Sequence, residues 1–278
     1  MSGWTLALRQ TPDLRVDLRG ITPLALLGLS ALQVAQIAVG HGRAHQALGE
    51  FFNISPRDDD VLVLDGDLSR FDRVGWQLDG GRMQVLGSVG HHAGGAMSAG
   101  VLRVQGNAGD LAACEMAGGR LEITGNVGDF AAGNLPGSMD GMRGGELIVR
   151  GNAGDRFGDR MRRGSALIYG DAGDFLASRM VAGTIALGGQ AGAHVGYGMR
   201  RGSVVMAGSA SAAAPSFNPP PTFVSAGAEA AVFWQLLARD LARLGGPGSV
   251  FATLPQRKIT RWLGDLSAGG KGELILPH

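Results

Sequence analysis

At 278 residues, 45% of them hydrophobic, the chain is long enough to bury a large core, and its 48 glycines far exceed ordinary globular usage. A net charge of +1 gives no reason to expect nucleic acid or an anionic membrane as partner. The single Cys114 excludes an internal disulfide and points to a reducing compartment, the cytoplasm.

Taken in chain order, residues 1–60 read as a small N-terminal cap. Leu24–Val39 is apolar but carries Gly28, Ser30, Gln33 and Gln36, so it is too short and too polar to span a membrane. It also lies too far along the chain for a signal peptide. A short helix is predicted near Leu29–Val34 and a strand at Gln36–Val39, shielding the open edge of whatever follows. His41 and His45, four apart, could share a helix face as metal ligands, but the glycines around them favour a loop over a metal site.

Residues 61–213 are dominated by an internal repeat. A glycine recurs at Gly87, Gly106, Gly125, Gly151, Gly170, Gly189 and Gly208, every 19 residues except for one step of 26. Six copies carry a second glycine three residues on, a methionine ten residues on (Met97, Met116, Met161, Met180, Met199; Met142 in the long copy) and a third glycine after it. The long copy holds seven extra residues within Ala131–Gly141. Each copy ends in an alternating run, such as Leu102/Val104, Leu147/Val149 and Ile185/Leu187, with Arg103, Glu122, Leu167 or Ala186 between the inward positions. Period-two alternation marks a half-buried strand, and one strand per coil cannot close its own core, so the copies must stack. The expected fold is all-β, a right-handed parallel β-helix (a solenoid of 19-residue coils) running from about Val61 to about Gly208.

Residues 214–278 read as an extended arm and a helical tail. Ala214–Pro221 is too rich in proline for a helix or central strand; the arm is expected to pack against the solenoid or a neighbouring chain, with Pro219–Pro221 reaching across an interface. Glu229–Leu244 has helical spacing and is stopped by Gly245-Gly246-Pro247.

No catalytic residue and no metal site emerges. The adjacent His91 and His92 would point to opposite faces of an extended segment, in structural or exposed roles. No glycine string follows a strand and opens a helix, which excludes a nucleotide fingerprint. Columns of Asn107, Asn126, Asn152, Asp171 and of Asp110, Asp129, Asp155, Asp174 are expected to form coil corners by hydrogen bonding along the stack. The methionine column is expected to fill the core. Arg143, Arg162, Arg163, Arg200 and Arg201 follow the repeat methionines and would form a cationic strip. It is suited to carboxylates, or is simply solvated or subunit-facing. Few aromatics lie inside the repeats, which argues against an aromatic-lined ligand groove.

The pattern GNxGDxxxxxMxxGxLxV resembles the C-type subunits of formylmethanofuran dehydrogenases and their counterparts in methylotrophic bacteria, the C-type subunits of formyltransferase/hydrolase complexes. The β-helix also resembles the GXGXG domain of glutamate synthase. The resemblance includes the lead-in Leu29–Ile54 (LSALQVAQIAVGHGRAHQALGEFFNI) and the ending Gly264–Leu276 (GDLSAGGKGELIL). It implies a non-catalytic scaffold in a hetero-oligomer with amidohydrolase-like, formyltransferase and dehydrogenase-B-like subunits. Such a complex moves formyl groups between tetrahydromethanopterin and a methanofuran-type cofactor to release formate. A tungsten or molybdenum dehydrogenase, or a GXGXG domain serving another assembly, is the alternative; the arginine-rich, lysine-poor composition inclines to the methylotroph version. A methanofuran-type cofactor carries a glutamate-rich tail, and the resemblance makes the five arginines candidate contacts for it or for a partner.

Overall fold

The computed structural model describes residues 3–210, 217–227 and 231–278. Its core is a column of parallel strands, one per coil. Asp79–Val85, Ala99–Val104, Arg120–Ile123, Arg143–Val149, Arg163–Ile168, Thr184–Leu187 and Ser203–Met206 pair in sequence order. The inward residues Leu102, Leu121, Leu147, Ala166, Ile185 and Val204 stack one above another and are fully buried. Each coil closes on a second, one-residue ladder: Leu68, Val89, Ala108, Val127, Ala153, Ala172 and Ala191 bridge in parallel from coil to coil.

The strand column extends past both ends of the repeats. Gly3–Leu8 adds in parallel below Val61–Asp65, and Gly272–Pro277 adds in parallel above Ser203–Met206. The two chain ends thus supply the outermost rungs. Antiparallel strands then cover them: Phe52–Arg57 at one end, Ile259–Gly264 and Val224–Gly227 at the other, so that this sheet has thirteen strands among the described residues. Capping with antiparallel neighbours protects the exposed edges of the stack.

In the N-terminal cap, helix α1 (Ala31–Ala35) starts at Ser30, which closes a capping box with Gln33. Helix α2 (Leu48–Phe51) follows a hairpin of Ala38–His41 and Ala44–Ala47. The predicted loop around His41 and His45 is therefore this hairpin, and His41 packs edge-on against Phe51. Gly42 at φ +61 makes the reversal.

Helix α3 (Ala231–Gly245) matches the predicted tail helix; Glu229 and Ala230 lie outside the described residues. It ends where Gly246 adopts φ +79. Ala214–Ser216 of the arm also lie outside them; Phe217 and Phe223 pack against this chain's own solenoid core, the first of the two placements expected for the arm.

The corner columns take a definite form. Each side-chain oxygen accepts the backbone N–H of the equivalent residue in the next coil. Asn107 Oδ1 takes Asn126 N at 2.8 Å, Asn126 Oδ1 takes Asn152 N, and Asn152 Oδ1 takes Asp171 N. The aspartates repeat this from Asp110 through Asp129, Asp155 and Asp174 to Ala193. His91 belongs to the second column, its Nδ1 accepting from Asp110 N. The corner glycines leave room for this: a Cβ on Gly106 would sit 2.5 Å from Ser88 Oγ and 2.7 Å from the Gly87 carbonyl carbon. Replacing Asn152 with Ala should cost about 1 kcal/mol, since one acceptor is lost. Asn152→Asp should be near neutral, because Asp171 does the same work one coil on. Equal losses for the two variants in urea denaturation would show that the ladder contributes nothing.

Candidate functional site

The buried methionine in each coil (Met142, Met161, Met180, Met199) brings the next two residues back to the surface, and Arg143, Arg162, Arg163, Arg200 and Arg201 are all exposed. Arg143, Arg162, Arg163 and Arg201 line one shallow groove of 310 Å³ with Val181 and Ala182. Arg162 and Val181 also line a second groove of 410 Å³, where Arg160, Arg179 and Arg200 join them. Strand register sets Arg143 opposite Arg163. The Val181-Ala182 rung separates the Arg163 and Arg201 coils, spacing these cations by about 10 Å.

Charge compensation across this face is uneven. Arg162 pairs with Asp140 of the inserted loop, and Arg143 reaches the Glu115 carbonyl at 3.4 Å. Among the described residues, no carboxylate pairs with Arg163, Arg200 or Arg201. On the strand face, Arg103, Arg120 and Arg150 gather around Glu122, and Arg120 also meets Glu146 at 3.1 Å.

Arg160 and Arg179 were not among the sequence candidates. They occupy a turn in which alternate residues adopt positive φ: Arg156, Gly158 and Arg160 in one coil, Phe175, Ala177 and Arg179 in the next. Their N–H groups point alternately to the following and preceding coils, as Arg156 N to Asp174 O, Gly158 N to Ala131 O and Arg160 N to Ser178 O. These hydrogen bonds hold residues other than glycine in a conformation that costs roughly 1–2 kcal/mol apiece. Glycine stands at some of these positions, such as Gly158 at φ +73, and ordinary residues at others, so no repeated letter marks the turn. The signal available was the third column itself, a large side chain at His92, Leu111, Phe130, Arg156, Phe175 and His194.

That column also modifies the expectation about aromatics. Phe130, Arg156, Phe175 and His194 stack along the axis, with Arg156 over Phe175 at 4.6 Å and Phe175 on His194 at 4.7 Å. Beside it, Asp159 is buried and held on both oxygens: Ser178 Oγ donates at 2.6 Å, Arg179 Nε donates at 3.0 Å to the same oxygen, and Arg179 Nη2 binds the other.

Other reactive groups are committed to structure. Burial, reinforced by Glu115, pushes the Cys114 thiol up to about 12, so it is no nucleophile at neutral pH. His92 is half-buried against Trp76, and desolvation together with Arg73 lowers its pKa. Among the described residues no group of three or more His, Cys, Asp or Glu could hold a metal ion. Among them, too, no helix is long and apolar enough to cross a membrane.

No family model matches the chain. The C-type subunit of the formyltransferase/hydrolase complex Fhc of Methylorubrum extorquens is 46% identical over 86 residues, 31% of this chain and 32% of that protein. The C-type subunit of the tungsten-containing formylmethanofuran dehydrogenase 2 of Methanothermobacter wolfeii is 32% identical over 99 residues, 34% of this chain and 37% of that one. These alignments thus span about a third of the curated relatives' length. A solved structure extends the likeness to the full chain. A chain of the formyltransferase/hydrolase complex FhcABCD from Methylorubrum extorquens, in complex with methylofuran, matches with a TM-score of 0.88 and 43% identity over 99% of both chains.

Proposed function

The chain belongs to the family of C-type subunits of formyltransferase/hydrolase complexes and formylmethanofuran dehydrogenases, and from that premise we propose that it is a non-catalytic scaffold of a one-carbon complex. The complex would hydrolyse a formylated methanofuran-type cofactor to formate and exchange formyl groups with tetrahydromethanopterin. Amidohydrolase-like, formyltransferase and dehydrogenase-B-like sister subunits would carry the chemistry in the cytoplasm. The observation that carries this is the full-length match, at 43% identity, to a chain of a complex solved with methylofuran.

The residues support a scaffold. The carboxylates of the repeat are spent on backbone hydrogen bonds between coils, and the thiol is buried. What the surface offers is a rigid face with guanidiniums that lack carboxylate partners. Arg143, Arg162, Arg163, Arg200 and Arg201 fit a carboxylate-rich cofactor tail, because a guanidinium binds a carboxylate through two parallel hydrogen bonds. The tail's carboxylates would meet cations fixed on successive coils, leaving the cofactor's reactive end free to visit other subunits.

The test is to tag the chain in its native host and purify it gently. Mass spectrometry should find formyltransferase and amidohydrolase-like subunits with it, and metal analysis should find neither tungsten nor molybdenum. Recovery of either metal with a dehydrogenase partner would move the chain to the redox branch. Glutamate-synthase-like partners, or none, would sink the assignment.

A further inference from the structure

We propose that the apolar groove at the start of the solenoid, walled by Leu24 and Leu27 and rimmed by Asp60 and Asp79, docks a sister subunit. That subunit inserts an arginine or lysine together with the apolar residue beside it. The proposal rests on the reading of the chain as a subunit of a complex and assigns one surface and one partner chemistry to it. In the strand order Asp79–Val85 stands three rungs from Arg143–Val149, about 14 Å away, and no arginine lines the groove.

The groove follows from where the strands begin. Val61, the first residue of its strand, pairs with Arg82, so Asp79, Gly80 and Gly81 run on past the strand beneath them. The pairing with Ala99–Val104 also slips between Asp79 and Arg82. Pro23 closes one side of the resulting notch, where a Cβ on Gly81 would lie 3.0 Å from Pro23 Cβ. What remains is a cavity of 340 Å³ lined by the buried Trp4 and Leu62 and by Leu24 and Leu27, which are 58% and 49% exposed. An apolar surface with a polar rim marks an interaction site.

The rim selects the occupant. Asp60 pairs with Arg82, whereas among the described residues no cation pairs with the exposed Asp79. Across Arg57–Asp60, Asp79 and Arg82, four carboxylates meet two guanidiniums, a surplus of two negative charges in a chain whose net charge is +1. An arginine or lysine matches both parts of the groove, its aliphatic stem on the leucines and its charged head on Asp79. Arginine beside an apolar anchor is also the composition found at the energetic centre of interfaces. A second copy of the chain fits poorly, because a two-fold contact sets the same patch against itself and would bring two acidic rims together. A small molecule fits poorly too: such sites converge several polar groups on the ligand, and the charged groups here are two carboxylates at the edge.

Gly80 allows the groove to be filled without disturbing the fold. Its φ lies outside the left-handed region, and an added Cβ meets nothing within 4 Å. Gly80→Leu therefore plugs the space, and Asp79→Lys reverses the rim.

The experiment uses the intact complex purified from its host. A photo-cross-linking benzoylphenylalanine in place of Leu27 should attach to one sister subunit, within a few residues of an arginine or lysine. Gly80→Leu and Asp79→Lys should each loosen that subunit at least about tenfold in a dilution series read by mass photometry, as for an interface hot spot. Their urea midpoints should match that of the unaltered chain. Attachment to a second copy, to a small molecule, or to nothing in an intact complex would overturn the docking site while leaving the scaffold reading in place. Retention within about twofold for both variants would overturn it equally, since filling an occupied hot spot cannot be silent. Absence of any sister subunit from the unaltered preparation would overturn the scaffold reading and the docking site together.

Discussion

Gly164→Val is expected to abolish soluble protein or remove most of its stability. Gly164 sits at φ +91, a conformation that a β-branched residue does not tolerate. An added Cβ would lie 2.8 Å from the Gly145 carbonyl oxygen, 2.9 Å from the Gly144 carbonyl carbon and 2.9 Å from Met142 Cε. Two of these are backbone atoms of the preceding coil, which cannot yield without breaking the strand pairing of Arg143–Val149 with Arg163–Ile168. Backbone strain and overpacking together should cost about 3–6 kcal/mol, against a total stability on the order of 5–15 kcal/mol for a protein. Gly137→Ala provides the contrast. Its φ is +85, but a Cβ there meets nothing within 4 Å, so only the conformational cost of about 1 kcal/mol remains. The measurement is soluble yield and urea midpoint for both variants. Similar values would mean that contact between coils does not decide the glycine column.

The same geometry accounts for the methionines. Met97 Cε would lie 2.6 Å from a Cβ on Gly119, and Met116, Met142, Met161 and Met180 stand likewise against Gly145, Gly164, Gly183 and Gly202. Each methionine therefore fills the space that the glycine of the next coil leaves open, so the two columns are one packing device read at two offsets.

Trp234→Ala should release helix α3 without unfolding the stack. Trp234 is 3% exposed and its indole N–H donates to the Arg257 carbonyl at 2.9 Å. Truncating a buried tryptophan costs roughly 3–5 kcal/mol, comparable with all that holds one amphipathic helix to a surface. The helix covers Leu167, Ala186, Val205 and Ile275, which with Leu241, Leu244, Phe251 and Leu254 form a second apolar cluster outside the coils. Hydrogen exchange should accelerate in Ala231–Gly245 and around Phe251–Ile259, while Ala99–Val104 and Arg120–Ile123 keep their protection. The exposed apolar face should also drive concentration-dependent self-association. A uniform loss of protection along the chain would show that α3 and the solenoid unfold as one unit.

The outward column shows how far the sequence could be read. Its members run Gln84, Arg103, Glu122, Ile148, Leu167, Ala186, Val205 and Ile275. Alternation within a single coil marks them as outward, and Leu167 and Ala186 do face outward, yet they are fully buried. Only the change from polar to apolar along the column, seen across coils, signals that something lands on the later ones. What lands there is set by contacts across more than sixty residues of sequence, such as Tyr169 hydroxyl to the Gly245 carbonyl.

The candidate site divides in the same way. Arg143, Arg162, Arg163, Arg200 and Arg201 were visible because they follow the repeat methionines, and all five do reach the surface. Their sharing of two adjoining grooves, with Arg162 in both, was not visible, because it depends on the direction each side chain leaves its coil and on where the inserted loop folds down. Arg160 and Arg179 were missed because their turn holds ordinary residues, with only occasional glycines, at positive φ through hydrogen bonds to neighbouring coils, and no residue type repeats there.

By itself the sequence determined the coil: its length, its buried strand positions, its corner ladders and its buried methionine column. All of these repeat at fixed offsets, and a residue's partner is its own equivalent about nineteen positions away. Only the tertiary structure decided how the stack ends, what α3 covers and which arginines share a groove. Those contacts join segments that obey no period, and they are selected by burial of apolar surface and by pairing of charges after the coils have stacked.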